Sequence, residues 1–355
     1  MRIDLGLIVP VFILLILSLT ALFSVNVALF RNQLIFAFLG ILAFIFFSQI
    51  NYKVLQQLST PIYIVSILLL FIVLILGIES RGAIRWVEIA GFRIQFSEIL
   101  KPFLAISLSS FLIQRKNYSF FSLLQVATLL FIVAALIFFQ PDLGSSLIYV
   151  FVTILTLIFF GFPLRFFAAG LIFFAALTPL IWIFLRDYQK DRLLTFIEPA
   201  RDPLGKSYNA IQSIIAVGSG EIFGRGLGQG TQSGLYFLPE RHTDFIFATI
   251  SEQLGFIGSI LIILCFALIL YRIFRISVSS EDSFCRTFSI ICFFIILVQF
   301  SLNIGMNTGL LPVVGVTLPF VSYGGSSLLS SFIILGLISA VSKNTKEEPR
   351  VLEIR

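Results

Sequence analysis

Asp244 closes the segment Leu238-Pro-Glu-Arg-His-Thr-Asp-Phe245, which sets four ionisable side chains (Glu240, Arg241, His242, Asp244) into five positions of a chain that is 58% hydrophobic and 12% charged. A carboxylate with such neighbours has its proton affinity set by them, and is a candidate for proton-transfer chemistry. Asp244 also stands where a long polar loop runs into an apolar helix, so it could serve as that helix's N-cap. The density of charged neighbours favours chemistry. His242 is the only histidine. A lone histidine beside a membrane more often holds a hydrogen bond than catalyses, although it titrates near about pH 6.5.

Other ionisable groups fall in or beside apolar stretches. A charge at the centre of a membrane helix costs roughly 2.5–3.5 kcal/mol on insertion scales, so such groups face a cavity or a partner. Glu98 and Lys101 are three residues apart and share a helix face. They form either a neutralising ion pair or the wall of a polar cavity that also meets a ligand. Asp142 follows Gln140-Pro141 ahead of another apolar stretch, and its position relative to Ser145 fits an N-cap. Glu252, eight residues beyond Asp244, is expected to face solvent or a neighbouring helix.

The elements that must carry these groups are membrane helices. Stretches of about 20 apolar residues recur along all 355 residues, each long enough to cross a bilayer, and the mean hydropathy is +1.05. In lipid, backbone groups must be satisfied within the segment, which makes helices obligatory. The expected fold is therefore an all-α, polytopic integral membrane protein. Ten spans are read at 5–25, 33–50, 61–77, 96–113, 120–139, 144–161, 166–185, 245–271, 288–310 and 324–341. The fourth is interrupted by polar residues and the ninth runs into Asn303 and Asn307. Residues 1–342 form one transmembrane domain and 343–355 a tail. The first stretch lacks a small-residue cleavage site and reads as a retained helix. The loop 186–244, between spans seven and eight, is too short to be a separate domain.

Ten spans put both termini on one side. With that side cytoplasmic, twelve Lys and Arg lie inside and four outside once the long loop is set aside, which favours cytoplasmic termini. The polar segment around Asp244 then lies at the extracytoplasmic face. The outer loops are basic for translocated segments; they either hold an anionic ligand or pair with their own acids. The net charge of +6 follows from cytoplasmic loops and implies no nucleic acid. Cys265, Cys285 and Cys292 are scattered and form no disulfide framework or metal site. The glycine-rich 218–230 fits neither a P-loop nor a dinucleotide fingerprint and reads as a loop packed over the helices. No nucleotide or organic cofactor is expected, and a lipid-linked substrate suits a site at the membrane surface.

Six blocks resemble the SEDS family (shape, elongation, division and sporulation), and within it the RodA branch. They are Gly82-Ala-Ile-Arg-Trp86; Phe92-Arg-Ile-Gln95 with Ser97-Glu98 and Lys101; Gln140-Pro-Asp-Leu-Gly144; Asp202-Pro-Leu-Gly205 with Tyr208 and Gln212-Ser213; Leu238 to Phe245; and Pro319 with Ser322-Tyr-Gly-Gly-Ser326. The division relatives usually carry a lysine in the Pro312–Gly315 turn, where this chain has Val313-Val314. Phe96 replaces a proline usual in the family, a change that eases a helix start and removes no reactive group.

The resemblance implies a peptidoglycan glycosyltransferase that polymerises lipid II into β-1,4 glycan strands and releases undecaprenyl diphosphate in the course of cell elongation. The implied partners are lipid II, the nascent glycan and a class B penicillin-binding protein that crosslinks the strands. The family's essential aspartate falls on Asp244, with a divalent cation, Mg or Mn, often implicated. Arg31, Arg85, Lys101 and Arg241 are candidates for holding the diphosphate. Gln95, Glu98 and Asp142 would line the site, and Glu240, Arg241 and His242 would hold the loop and tune the carboxylate. Trp86 would stack on a sugar or anchor its loop at the interface. Two other functions fit a multi-span chain: a lipid II flippase, and a scaffold that activates a penicillin-binding protein. A flippase needs a hydrophilic path through both leaflets, whereas the charged residues here cluster at 31, 81–101, 142 and 186–244, on the expected outer side.

Overall fold

The computed structural model describes residues 4–343 apart from 81–82, 90, 116–118, 185–186, 200–201, 204, 206 and 236. The tail from 344 onward, and Arg2, Arg81, Lys116, Arg186, Arg201 and Lys206 of the charge count, lie outside the described residues.

Capping residues cut the apolar sequence into helices. Asp4 accepts from Gly6 N, Asn26 from Ala28 N, Asn51 from Lys53 N, Ser119 from Ser122 N and Asp282 from Phe284 N, each satisfying an amide that the first turn leaves bare. The helices are α1 (Leu5–Val25), α2 (Val27–Ser48), α3 (Tyr52–Gln57), α4 (Ser59–Leu76), α5 (Phe96–Ile99), α6 (Lys101–Ile113), α7 (Phe120–Phe139), α8 (Leu143–Phe159), α9 (Leu164–Phe184), α10 (Asp187–Ile197), α11 (Tyr208–Ser219), α12 (Thr231–Gly234), α13 (Ile246–Ser279), α14 (Ser283–Asn307) and α15 (Gly325–Ser342). Seven are long and apolar enough to cross a membrane, and α6, α8 and α9 are shorter apolar helices. Together they correspond to the ten expected spans.

Three details differ from the sequence expectation. The second helix starts at Val27 because Asn26 caps it, six residues earlier than expected. The outer loop after α4 folds into an antiparallel sheet, β1 (Ile78–Ser80), β2 (Ala83–Ile89) and β3 (Phe92–Ile94), so the chain is helical with one small sheet. The long loop carries α10, α11 and α12.

α15 is the axis of the bundle: nearly every residue from Ser326 to Val341 is buried, with α2 along one flank. α13 lies between α1 and α14, and α6 and α8 pack on α14. By contrast α9 has no buried residue among those described, as suits an apolar helix surrounded by lipid. Lys343 Nζ donates to Ser48 O at 2.7 Å and Arg272 Nε to Asp4 Oδ2 at 2.7 Å. Both ends of the described chain therefore sit at the end of the bundle where α2 and α13 finish. The sheet, the α7–α8 turn and the segments before α13 and α15 are at the other end.

α13 is broken at Gly255 (φ 65°), and the glycine-rich loop fills the break. Arg225 N and Gly226 N donate to the carbonyls of Glu252 and Gln253 at 2.9 and 3.1 Å, while Phe256 N donates to Glu221 O at 2.8 Å. Backbone groups freed by a kink at membrane depth thus find protein partners.

Candidate functional site

The turn carrying Asp244 is wound on itself and bolted to two helices. Leu238 and Phe245 are buried at its ends. Thr243 N and Phe245 N both donate to Glu240 O, at 3.2 and 3.1 Å, and Thr243 Oγ1 donates to Glu240 Oε2 at 3.0 Å. Ser322 Oγ donates to Thr243 O at 2.7 Å, Tyr323 N to His242 O at 2.9 Å, and the His242 and Tyr323 rings stand 5.7 Å apart. Arg241 is buried, and its carbonyl accepts from Thr249 Oγ1 at 2.8 Å. Glu240, Arg241 and His242 are thus part of the fold of this turn.

Asp244 itself is half-buried, and its carbonyl accepts from Asn303 Nδ2 and Asn307 Nδ2, both at 3.0 Å. The N-cap position of α13 belongs to Phe245, which has no side-chain capping bond. The amide of Ala248, in the first turn, instead donates to Asn307 Oδ1 at 3.0 Å. The Asp244 carboxylate borders Gly315. A Cβ built there would stand 3.3 Å from Asp244 Oδ2 and 4.0 Å from Arg192 Nη2, and φ is +72°. Glycine at 315 keeps the backbone close to the acid and tolerates that left-handed conformation.

A second cluster surrounds Asp142. The aspartate caps α8 as expected, with Oδ1 accepting from Ser145 N at 3.2 Å. It does more than cap: Oδ2 accepts from Gln95 Nε2 at 2.6 Å and Ser97 Oγ at 3.0 Å, and Arg85 Nη1 lies 3.8 Å from Oδ1. Glu98 and Lys101 are the expected pair, with Nζ donating to Oε1 at 2.5 Å, and both are buried. Beside Lys101 a cavity of about 200 Å³ runs between α4, α6, α7, α8 and α14 as far as Gln114. Its walls are mainly apolar, including Leu104, Leu108, Val126, Val133 and Ile291, with the hydroxyls of Ser107, Ser110 and Thr153.

One extended segment joins the two clusters. A Cβ on Gly144, at the start of α8, would stand 2.6 Å from Val314 O, so α8 touches the backbone of 314–315 directly. Asn303 Nδ2 donates to Val316 O at 2.7 Å from the other side. Gln95 N donates to Ser326 Oγ at 2.8 Å, tying the end of the sheet to α15. Residues 314–316 therefore touch α8 at Gly144, two residues past Asp142, and border the Asp244 carboxylate at Gly315.

Not every candidate converges. Arg31 is exposed on α2, one residue before Asn32, whose Nδ2 reaches Tyr323 Oη at 3.4 Å. It shares the end of the bundle but lies on its surface. Trp86 follows Arg85 on β2 and is paired with Ile78. Ile78 pairs with Trp86 and Glu79 with Ile84, so Arg85 is the extra residue of a β-bulge and strand alternation does not fix its direction relative to Trp86. Of the two alternatives for Glu252 the neighbouring helix holds: it is fully buried, and its carboxylate accepts from Gln232 N and Ser233 N of α12, each at 2.8 Å. It anchors the strap that leads to Asp244. Sequence reading missed Asn303, Asn307 and Gly315 as neighbours of Asp244. The available signal was two amides one turn apart in an apolar helix, a costly placement that normally has a reason. Among the described residues no group of three or more His, Cys, Asp or Glu gathers for a metal ion.

A family model of cell cycle proteins, FtsW/RodA/SpoVE, matches residues 1–347. Peptidoglycan glycosyltransferase MrdB of Escherichia coli K12 is 36% identical over 310 residues, covering 87% of this chain and 84% of that protein. Stage V sporulation protein E of Bacillus subtilis is 36% identical over 322 residues, covering 89% and 87%. Among solved structures, a chain of a peptidoglycan synthase complex, described as coordinating polymerization and crosslinking, superposes with a TM-score of 0.85 at 30% identity, covering 97% of this chain and 98% of that one. The rod shape determining protein RodA of Thermus thermophilus gives 0.74 at 26% identity, covering 98% and 99%.

Proposed function

We propose, because this chain belongs to the FtsW/RodA/SpoVE family of cell cycle proteins, that it is a peptidoglycan glycosyltransferase that polymerises lipid II into β-1,4-linked strands during cell elongation. The carrying observation is that the Asp244 carboxylate and the Arg85–Asp142 and Glu98–Lys101 pairs occupy one end of the bundle, where residues 314–316 meet both the start of α8 at Gly144 and the Asp244 carboxylate. An acid and cations gathered at one end suit a displacement with a proton to remove and an anion to release.

In this reading Asp244 is the general base. It takes the proton of the acceptor sugar's 4-hydroxyl as that oxygen bonds to the donor's anomeric carbon. The bond from that carbon to the diphosphate breaks, its electron pair leaves with undecaprenyl diphosphate, and the single displacement turns an α-linked donor into a β-linked product. Arg85 is the cation best placed for the departing charge, since its side chain is 30% exposed and a guanidinium binds phosphate with two parallel hydrogen bonds. Lys101 is 1% exposed and engaged by Glu98, so it holds the polar floor. The residues fit a divalent cation only jointly: the Asp244 carboxylate and substrate diphosphate oxygens would hold it, a mode magnesium favours. Bound there, the ion would supply charge neutralisation to the leaving group.

The excess of basic residues in the short loops at the end bearing both termini supports cytoplasmic termini and an extracytoplasmic active site in the cytoplasmic membrane. The likeness to a chain of a synthase complex supports a crosslinking penicillin-binding partner. Transport is the weaker reading: the cavity beside Lys101 is walled largely by apolar side chains, which suits a hydrocarbon chain and not a disaccharide-peptide headgroup. The test is polymerisation of labelled lipid II by purified protein with its penicillin-binding partner, with and without metal chelation. Asp244→Asn should keep the fold and make no strands. Long strands made at the normal rate by that variant would sink the base assignment.

A further inference from the structure

An aspartate one residue before a helix's N-cap position is well placed to turn onto the bare amides of the first turn. Asp244 stands at that place before α13, yet the Ala248 amide donates to Asn307 Oδ1, on a different helix, at 3.0 Å. The same Asn307 donates through Nδ2 to Asp244 O at 3.0 Å, and Asn303 Nδ2 adds a second bond to that carbonyl, also at 3.0 Å. Asn307 is itself fixed: Nδ2 also donates to Asn303 O at 2.8 Å, and its own carbonyl accepts from Ser213 Oγ at 3.0 Å. Both asparagines are fully buried. α14 thus serves α13 at two points, one at the helix amide and one at the backbone of the acid.

We propose that Asn307, with Asn303, is a positioning residue that caps α13 in place of Asp244 and so leaves the carboxylate directed at the Gly315 side, where the substrate must lie. This rests on Asp244 being the base. Two opposing demands meet at Asp244: the α13 N-terminus attracts an anion and offers amides to it, while the reaction needs that carboxylate on the sugar hydroxyl. Supplying a neutral cap from α14 satisfies the amide without using the acid. The two carbonyl bonds prevent the backbone rotation by which Asp244 would swing onto the helix end. The loop helix α11, through Ser213, braces the same asparagine.

The proposal is tested by a double-mutant cycle on thermal unfolding of the full-length protein in detergent, paired with polymerisation kinetics. With Asn307→Ser, which falls short of Ala248 N, Asp244 should turn inward and cap α13. Asp244→Ala should then lower the unfolding midpoint by about 1–3 °C more in the Asn307→Ser background than in the native one. Asn307→Ser alone should lower kcat about tenfold or more with KM within about twofold, since it diverts the base and leaves substrate contacts in place. Asn307→Asp, which keeps an acceptor for Ala248 N, should show no such coupling. Equal effects of Asp244→Ala in both backgrounds would overturn the capping exchange. The midpoints do not depend on the chemistry. An active Asp244→Asn enzyme with a coupled cycle would refute the base and leave the cap assignment standing; an inactive one with an uncoupled cycle would do the reverse.

Discussion

Replacing Gly144 by alanine should slow polymerisation without touching any ionisable group. The added Cβ would stand 2.6 Å from Val314 O and 3.2 Å from Gly315 O, where ordinary contact begins at 3.4 Å. Relief requires the 314–315 backbone to move by about 0.8 Å, because α8 is held by the Asp142 cap and cannot easily retreat. That backbone borders Asp244 Oδ2 on its far side. Overpacking of this kind costs about 1–3 kcal/mol of stability. A displacement approaching 1 Å at a reacting group can cost about 100-fold in rate. The expected outcome is a fall in kcat of roughly 10- to 100-fold with a folded protein and little change in KM. Gly170→Ala on α9, where an added methyl meets nothing within 4 Å, is the control. Lipid II polymerisation by both purified variants, with unfolding midpoints, decides the matter. A Gly144→Ala enzyme as fast as Gly170→Ala would refute the claim that residues 314–316 position the acid.

Two further outcomes follow from buried charges. Glu252→Ala removes the acceptor of two backbone amides, worth about 1.5–3 kcal/mol each when the acceptor is charged, and should free the 231–243 strap. Hydrogen exchange at Gln232 and Ser233 should speed up and polymerisation should fall; unchanged protection there would contradict the anchoring role. Lys101→Met strands Glu98 as a buried lone charge and should cost about 3–5 kcal/mol. Adding Glu98→Gln should recover most of that stability, and single and double variants melting together would show that the pair is not coupled.

The sequence was legible wherever a local rule suffices. Ten apolar stretches became ten apolar helices because lipid leaves the backbone no alternative. Asp142 as a cap and Glu98–Lys101 as a pair could be read because their partners lie within three residues. Asp244 stood out as a candidate through its charged neighbours. The sheet at 78–94 was not, since its strands are three to seven residues long and too brief for a periodic signal. Glu252 was left between solvent and a neighbouring helix because an acid near the start of an apolar helix carries no mark of the amides it serves 19 and 20 residues away.

What the sequence determined by itself was the class of molecule and the family, and it singled out Asp244 as a candidate, because hydrophobic length, charge placement and short motifs are local properties. Only the tertiary structure decided how that acid is held. Asn307 lies 59 residues from Ala248 and 63 from Asp244, and Gly144 meets Val314 across nearly half of the chain. Such contacts follow from which helices become neighbours, and that depends on burying all the apolar faces at once.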